Sequence, residues 1–180
     1  HQGGNFMPLG EIVDEKSIVN SVVALSATGG STNHTLHIPA IAQAAGIQLT
    51  WDDMAEISAV TPTLAQVYPN GKADVNHFHA AGGVNFMVHT LLAAGLLHED
   101  VNTIMGRGLS RYLQEPFLVE GKLEWRTGRA ESLDEDILRP ASRPFNEEGG
   151  LRVMQGNLGR GVMKVSAVAP KHLFVDAGSC

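Results

Sequence analysis

Two adjacent glycines, Gly29 and Gly30, stand directly before Ser31, Thr32 and Asn33. Glycine has no Cβ and reaches backbone conformations closed to other residues. The hydroxyl and amide side chains that follow suit two roles. They can accept from the unpaired N–H groups of a helix's first turn. They can also donate, with the backbone N–H groups, to oxygens of an anionic substrate or to metal-bound waters, where a helix end carries partial positive charge. Arg107 and Arg111 flank Gly108-Leu109-Ser110; four residues apart on a helix, they share one face and could grip a phosphate through charged hydrogen bonds. Lys72 and Arg160, both in glycine-containing loops, are further cations of that kind, and a solvated basic turn is the alternative for all four.

Eight histidines are present. His34 and His37 lie three apart and His77 and His79 two apart, neither at the four-residue spacing of a helical zinc dyad. One cysteine, Cys180, ends the sequence, so thiolate ligation of a metal or cluster has no spacing to rest on. The sequence assigns no metal ligand and no catalytic residue within these 180 residues.

The elements that must position these groups follow from periodicity and caps. Ile18, Val19, Val22, Val23 and Leu25 fall at helical spacing over Glu15 to Ala27, with Asp14 as N-cap and Gly29 or Gly30 as the stop. A second helix covers roughly Thr32 to Ala45 and ends at Gly46, with Pro39 expected to kink or break it. Thr50 caps a third over Trp51 to Ser58, with Asp52 and Asp53 at its positive end. Tyr68-Pro69-Asn70-Gly71 is a turn, Gly82-Gly83 a tight entry, and Val84, Met87, Val88, Leu91 and Leu92 make a buried stripe ended by Gly95. Further on, Phe117–Val119 and Leu123–Trp125 predict a hairpin, and residues 126 to 150 a polar linker or surface crossing. Strands over Leu151–Met154 and Val162–Val168 are separated by a loop over 156–161.

The string from Gly29 to Asp53 closely resembles the dehydratase family that contains dihydroxy-acid dehydratase and 6-phosphogluconate dehydratase. Gly-Gly-Ser-Thr-Asn followed by Leu36-His37 is common to both branches, whereas His34 to Ala42 resembles the 6-phosphogluconate branch. So do Asp14 to Asn20, Tyr68 to Asp74, Leu97 to Thr103, Gly108 to Tyr112 and Gly156 to Gly161, in family order over about residues 8 to 170.

The resemblance implies an α/β fold: residues 1–148 as the C-terminal part of an α/β N-terminal domain, helices packed on a sheet, and residues 149–180 as the beginning of a β-rich, barrel-like C-terminal domain. The implied activity is loss of water from 6-phospho-D-gluconate to give 2-dehydro-3-deoxy-6-phospho-D-gluconate, a lyase step of the Entner–Doudoroff route. A base takes the C2 proton while a Lewis-acidic metal centre assists departure of the C3 hydroxyl. It also implies an iron–sulfur cluster (4Fe–4S) and a divalent metal such as Mg²⁺ in the whole protein, neither held by this segment, which lacks the family's Cys-Asp-Lys and Thr-Asp-Gly-Arg motifs. Substrate binding then falls to Ser31, Thr32, Asn33, Arg107 and Arg111, with His37 and His79 as hydrogen-bonding support behind them. The expected partner is a small phosphosugar acid, the expected assembly a homodimer, and the segment an internal, by itself inactive piece of a longer polypeptide. Two alternatives stay open: a dihydroxy-acid or unphosphorylated sugar-acid dehydratase, and a non-catalytic fold-alike.

Composition narrows the classes. A net charge of −6 gives no basic face for nucleic acid, and an anionic substrate then needs local positive potential. No apolar run approaches the roughly 20 residues of a membrane span. The near absence of cysteine fits a reducing, cytoplasmic setting.

Overall fold

The computed structural model describes residues 6–173, and Cys180 lies outside them. Helix α1 (Leu9–Ile12) leads into α2 (Glu15–Thr28), α3 (His34–Ala44), α4 (Trp51–Val60), α5 (Val75–Ala81) and α6 (Gly83–Ala93). Strands β1 (Asn102–Thr103) and β2 (Gly106–Arg107), β3 (Gln114–Val119) and β4 (Lys122–Thr127), and β5 (Leu151–Gly156) and β6 (Gly159–Lys164) form three separate antiparallel ladders. Mixed helix and small sheets fit the α/β class. The helices nevertheless pack chiefly on one another rather than on a sheet, and no closed barrel forms among the described residues.

α2 is the central helix because it is apolar on two faces. Val23 and Ala27 join Leu64, Phe86, Leu91 and Leu138 in one core cluster. Ile18, Val22 and Leu25 join Ile38, Met54 and Leu151 in the other. Its start is fixed as the sequence predicts: Asp14 Oδ1 accepts from Ser17 N at 2.7 Å, and Asp14 N donates to Ser17 Oγ at 2.9 Å, a reciprocal cap. Buried Asn20 ties its middle to the loop after α6, with Nδ2 donating to His98 O at 2.9 Å and Oδ1 accepting His98 N at 2.8 Å.

Several elements differ from their predicted form. Pro39 neither breaks nor ends α3, which runs unbroken across it. Proline cannot donate to Thr35 O, four residues back; the Trp51 indole Nε1 donates there instead, at 3.1 Å. α5 has no counterpart in the hydrophobic pattern. It exists because the Asp74 carboxylate accepts from Asn76 N and His77 N at 2.9 and 3.0 Å. The predicted loop over 156–161 shrinks to Asn157-Leu158, since the ladder continues to Gly156 opposite Gly159. β6 ends at Lys164, and a 3₁₀ turn follows over Val165–Ala167.

Of the tract 126–150, read as a linker or surface crossing, residues 137–150 are built into the molecule. Leu64 N donates to Ala27 O (2.7 Å), Gln66 N to Ile137 O (2.8 Å) and Thr63 N to Asn146 O (2.8 Å). Thr63 Oγ1 reaches Glu148 O at 2.8 Å, so this crossing holds the extended segment after α4 against the end of α2.

Candidate functional site

The C-terminal end of α2 opens onto a cleft of about 550 Å³ lined by Gly29, Gly30, Ser31 and Thr32, by Val67, Tyr68 and Phe78, and by Lys164. Distant segments set its shape. Asn70 Nδ2 donates to Thr28 O at 3.2 Å and to Gly29 O at 3.0 Å. Its Oδ1 accepts from Ser166 Oγ at 3.0 Å, while Ser166 N donates to Gly150 O at 3.2 Å.

Gly29 adopts the left-handed conformation, φ +57°, and a side chain there would strike the Asn70 amide. A Cβ on Gly150 would lie 2.7 Å from Gly29 Cα and 2.6 Å from Ser166 Oγ. Gly149 passes between α2 and α4, donating to Ser58 O at 2.7 Å. The two glycine doublets, 120 residues apart, are therefore in direct contact.

Ser31 and Thr32 line the cleft, and of the caps expected of this triplet only the one from Ser31 forms. Asn33 makes no side-chain cap, is exposed, and does not line the cleft. Ser31 Oγ accepts from Asn33 N at 3.2 Å, which leaves its own hydroxyl proton available. The Thr32 hydroxyl has no hydrogen-bond partner among the described residues; only its carbonyl is engaged, accepting Thr35 Oγ1 at 2.7 Å.

Lys164 is the charged side chain of the cleft. It is half-buried, forms no ion pair or hydrogen bond among the described residues, and burial pushes its pKa down. Several other cations are committed: Arg160 lies on Asp52, Arg152 on Glu148 and Lys16 on Asp100. Lys72 is exposed in its turn.

Arg107 and Arg111 do not share a helix face. Arg107 ends β2, Gly108 adopts φ +101°, and Arg111 sits in a 3₁₀ helix over Leu109–Leu113. The positive φ at Gly108 breaks the helical register that a paired grip required. Arg111 Nε donates instead to Arg107 O at 3.1 Å, and neither arginine lines the cleft. His37 is exposed and meets His34 edge to face at 6.4 Å. His79 lines a different cleft of about 570 Å³, beside Asn85. There Asn85 Nδ2 donates to Tyr112 O at 2.8 Å while its buried Oδ1 has no partner among the described residues.

The donor set does not fit an iron–sulfur cluster or a bound divalent metal. Residues 6–173 contain no cysteine, and no group of three His, Cys, Asp or Glu side chains converges among them. Likewise, no helix among the described residues is long and apolar enough to cross a membrane.

Lys164 and the Asn70–Ser166 clamp escape sequence reasoning because nothing local marks them. The available signal is the second glycine doublet, Gly149-Gly150, in a tract otherwise polar.

Residues 4–112 match the family model described as dihydroxy-acid/6-phosphogluconate dehydratase N-terminal, and residues 136–180 match its C-terminal counterpart. The chain is 69% identical over 176 residues to the phosphogluconate dehydratase of Pseudomonas aeruginosa, covering 98% of this chain and 29% of that protein. Identity to the phosphogluconate dehydratase of Escherichia coli K12 is 55% over 175 residues, 97% of this chain and 29% of that protein. The dihydroxy-acid dehydratase of Methylibium petroleiphilum is 37% identical over 177 residues, 94% of this chain and 30% of that protein. The chain thus spans about three-tenths of the length of the curated relatives it matches.

Proposed function

The chain belongs to the dihydroxy-acid/6-phosphogluconate dehydratase family, and from that premise we propose that it is part of a hydro-lyase that dehydrates 6-phospho-D-gluconate. The reaction removes the C2 proton and the C3 hydroxyl as water, and the resulting enol tautomerises to the 2-keto acid. Stronger likeness to the relatives named phosphogluconate dehydratase than to the dihydroxy-acid dehydratase supports the phosphorylated substrate.

The observation that carries the reading is the cleft itself. It joins Ser31 and Thr32, from the N-terminal family segment, to Lys164, from the C-terminal one. Clefts at such junctions, with few polar groups on apolar walls, are where small substrates bind. In this reading Ser31 and Thr32 donate to substrate oxygens, whereas Asn33, Arg107 and Arg111 lie outside the cleft lining. His37 and His79 then orient groups from other parts of the protein. No described residue offers the thiolates of an iron–sulfur cluster and no described group of three donors would hold a divalent metal, so in this reading a longer polypeptide supplies those sites. That polypeptide acts in the cytoplasm as a homodimer, and residues from 149 onward open its barrel-like domain.

The test is to incubate the full-length protein with 6-phospho-D-gluconate in D₂O and follow the product by NMR. A 2-keto-3-deoxy product with one deuterium at C3 supports the reading. Turnover of 2,3-dihydroxy-3-methylbutanoate with none of 6-phospho-D-gluconate contradicts it.

A further inference from the structure

We propose that Lys164 is the residue that selects a phosphorylated substrate, its ammonium binding the phosphate monoester in the cleft that Ser31 and Thr32 also line. The inference rests on the proposed function for the identity of the substrate, but its geometry stands by itself. Partly desolvating a lysine without a counter-charge is unfavourable, and the cost is retained here: Lys164 has no anionic partner among the described residues and no carboxylate lines its cleft. The lowered pKa has the same origin, desolvation.

A dianionic ligand supplies the missing charge. Three residues that carry donors line the cleft: Lys164, Thr32 with its unpartnered hydroxyl, and Ser31, whose hydroxyl oxygen alone is engaged. A phosphate has three terminal oxygens for them, and a carboxylate has two. The chain's charge of −6 makes such local compensation necessary for an anion to approach. Val67 and Phe78 make part of its wall apolar, and a lower local dielectric strengthens a charged hydrogen bond.

Lys164 is also positioned rather than loose. It pairs with buried Leu151 in the β5–β6 register, and two residues on Ser166 binds both Gly150 O and Asn70. The clamp that holds Gly29 therefore also fixes the backbone that carries the lysine.

The experiment uses full-length protein, wild type and with Lys164→Gln or Lys164→Arg. Calorimetry gives Kd for two probes, inorganic phosphate and unphosphorylated gluconate, and kinetics gives KM and kcat for 6-phospho-D-gluconate. Lys164→Gln is expected to raise the phosphate Kd and the KM at least tenfold while the gluconate Kd moves less than twofold, and Lys164→Arg to recover part of the loss. No phosphate binding by the wild type, or a phosphate Kd unchanged in Lys164→Gln, overturns the proposal. So does an equal weakening of gluconate, which would assign the lysine to the carboxylate. Because both probes are read by binding, a wild type that binds phosphate through Lys164 yet fails to dehydrate 6-phospho-D-gluconate would defeat the proposed function and leave this inference standing.

Discussion

Ser166 donates its hydroxyl to Asn70 Oδ1 at 3.0 Å across 96 residues of sequence, and Asn70 in turn holds the carbonyls of Thr28 and Gly29. This one side chain joins the end of the central helix, the Tyr-Pro-Asn-Gly turn and the segment after β6. Asn70→Ala removes three hydrogen bonds and leaves partly buried acceptors unpaired, at a cost of about 1–3 kcal/mol. Chemical denaturation should show the loss, and Ser166→Ala should show a smaller one in the same direction.

Close packing of the glycine doublets gives a second expectation. Gly150→Ala forces a Cβ to 2.7 Å from Gly29 Cα and should destabilise by about 1–3 kcal/mol. Gly161→Ala, whose Cβ would meet nothing within 4 Å, is the control and should change stability by less than about 0.5 kcal/mol. Equal melting temperatures for the two variants would show that the contact is loose.

Much of the frame is legible in the sequence where the signal is local. Asp14 and Thr50 cap their helices, Gly29 stops α2, and Glu120-Gly121 turns the β3–β4 hairpin with φ of 49° and 79°. What is not legible depends on partners far away. Pro39 reads as a kink or a break, yet the helix runs on across it with Trp51 supplying the missing donor, and the tract around Gly149 reads as a linker or surface crossing until Ser26 and Ser58 appear beside it. α5, at seven residues, is too short for a helical period to announce itself. The site shows the same division: Ser31 and Thr32 come from a motif, whereas Lys164 is an ordinary strand lysine until the fold sets it in the same cleft.

The Trp51–Thr35 bond can be isolated by a double-mutant cycle. Trp51→Phe leaves Thr35 O without its donor, about 1–3 kcal/mol. Pro39→Ala restores a backbone N–H four residues on, so Trp51→Phe should cost measurably less in that background. Identical costs in both backgrounds would show that the indole matters only through packing.

Thr50 holds the Asp53 carboxyl below its ordinary pKa, chiefly through the Thr50 hydroxyl and then through Thr50 N. A pKa depressed in the folded state means that the folded protein binds this proton less readily than the unfolded chain. The contribution is therefore present above the ordinary carboxylate value of about 4 and is lost as pH falls through the folded value. Asp53→Asn should be less stable than wild type at pH 7, with the gap closing toward pH 3; a gap that is constant with pH would contradict it.

The most direct test of the cleft as a substrate site is Thr32→Val in the full-length protein, with kcat/KM for 6-phospho-D-gluconate and the melting temperature measured on one preparation. Valine keeps the shape and removes a hydroxyl that has no partner among the described residues. The expected result is a fall in kcat/KM of at least tenfold with stability changed by less than about 0.5 kcal/mol. A clear drop in melting temperature with kcat/KM of the folded enzyme unchanged would make Thr32 a structural residue and contradict the assignment of the cleft.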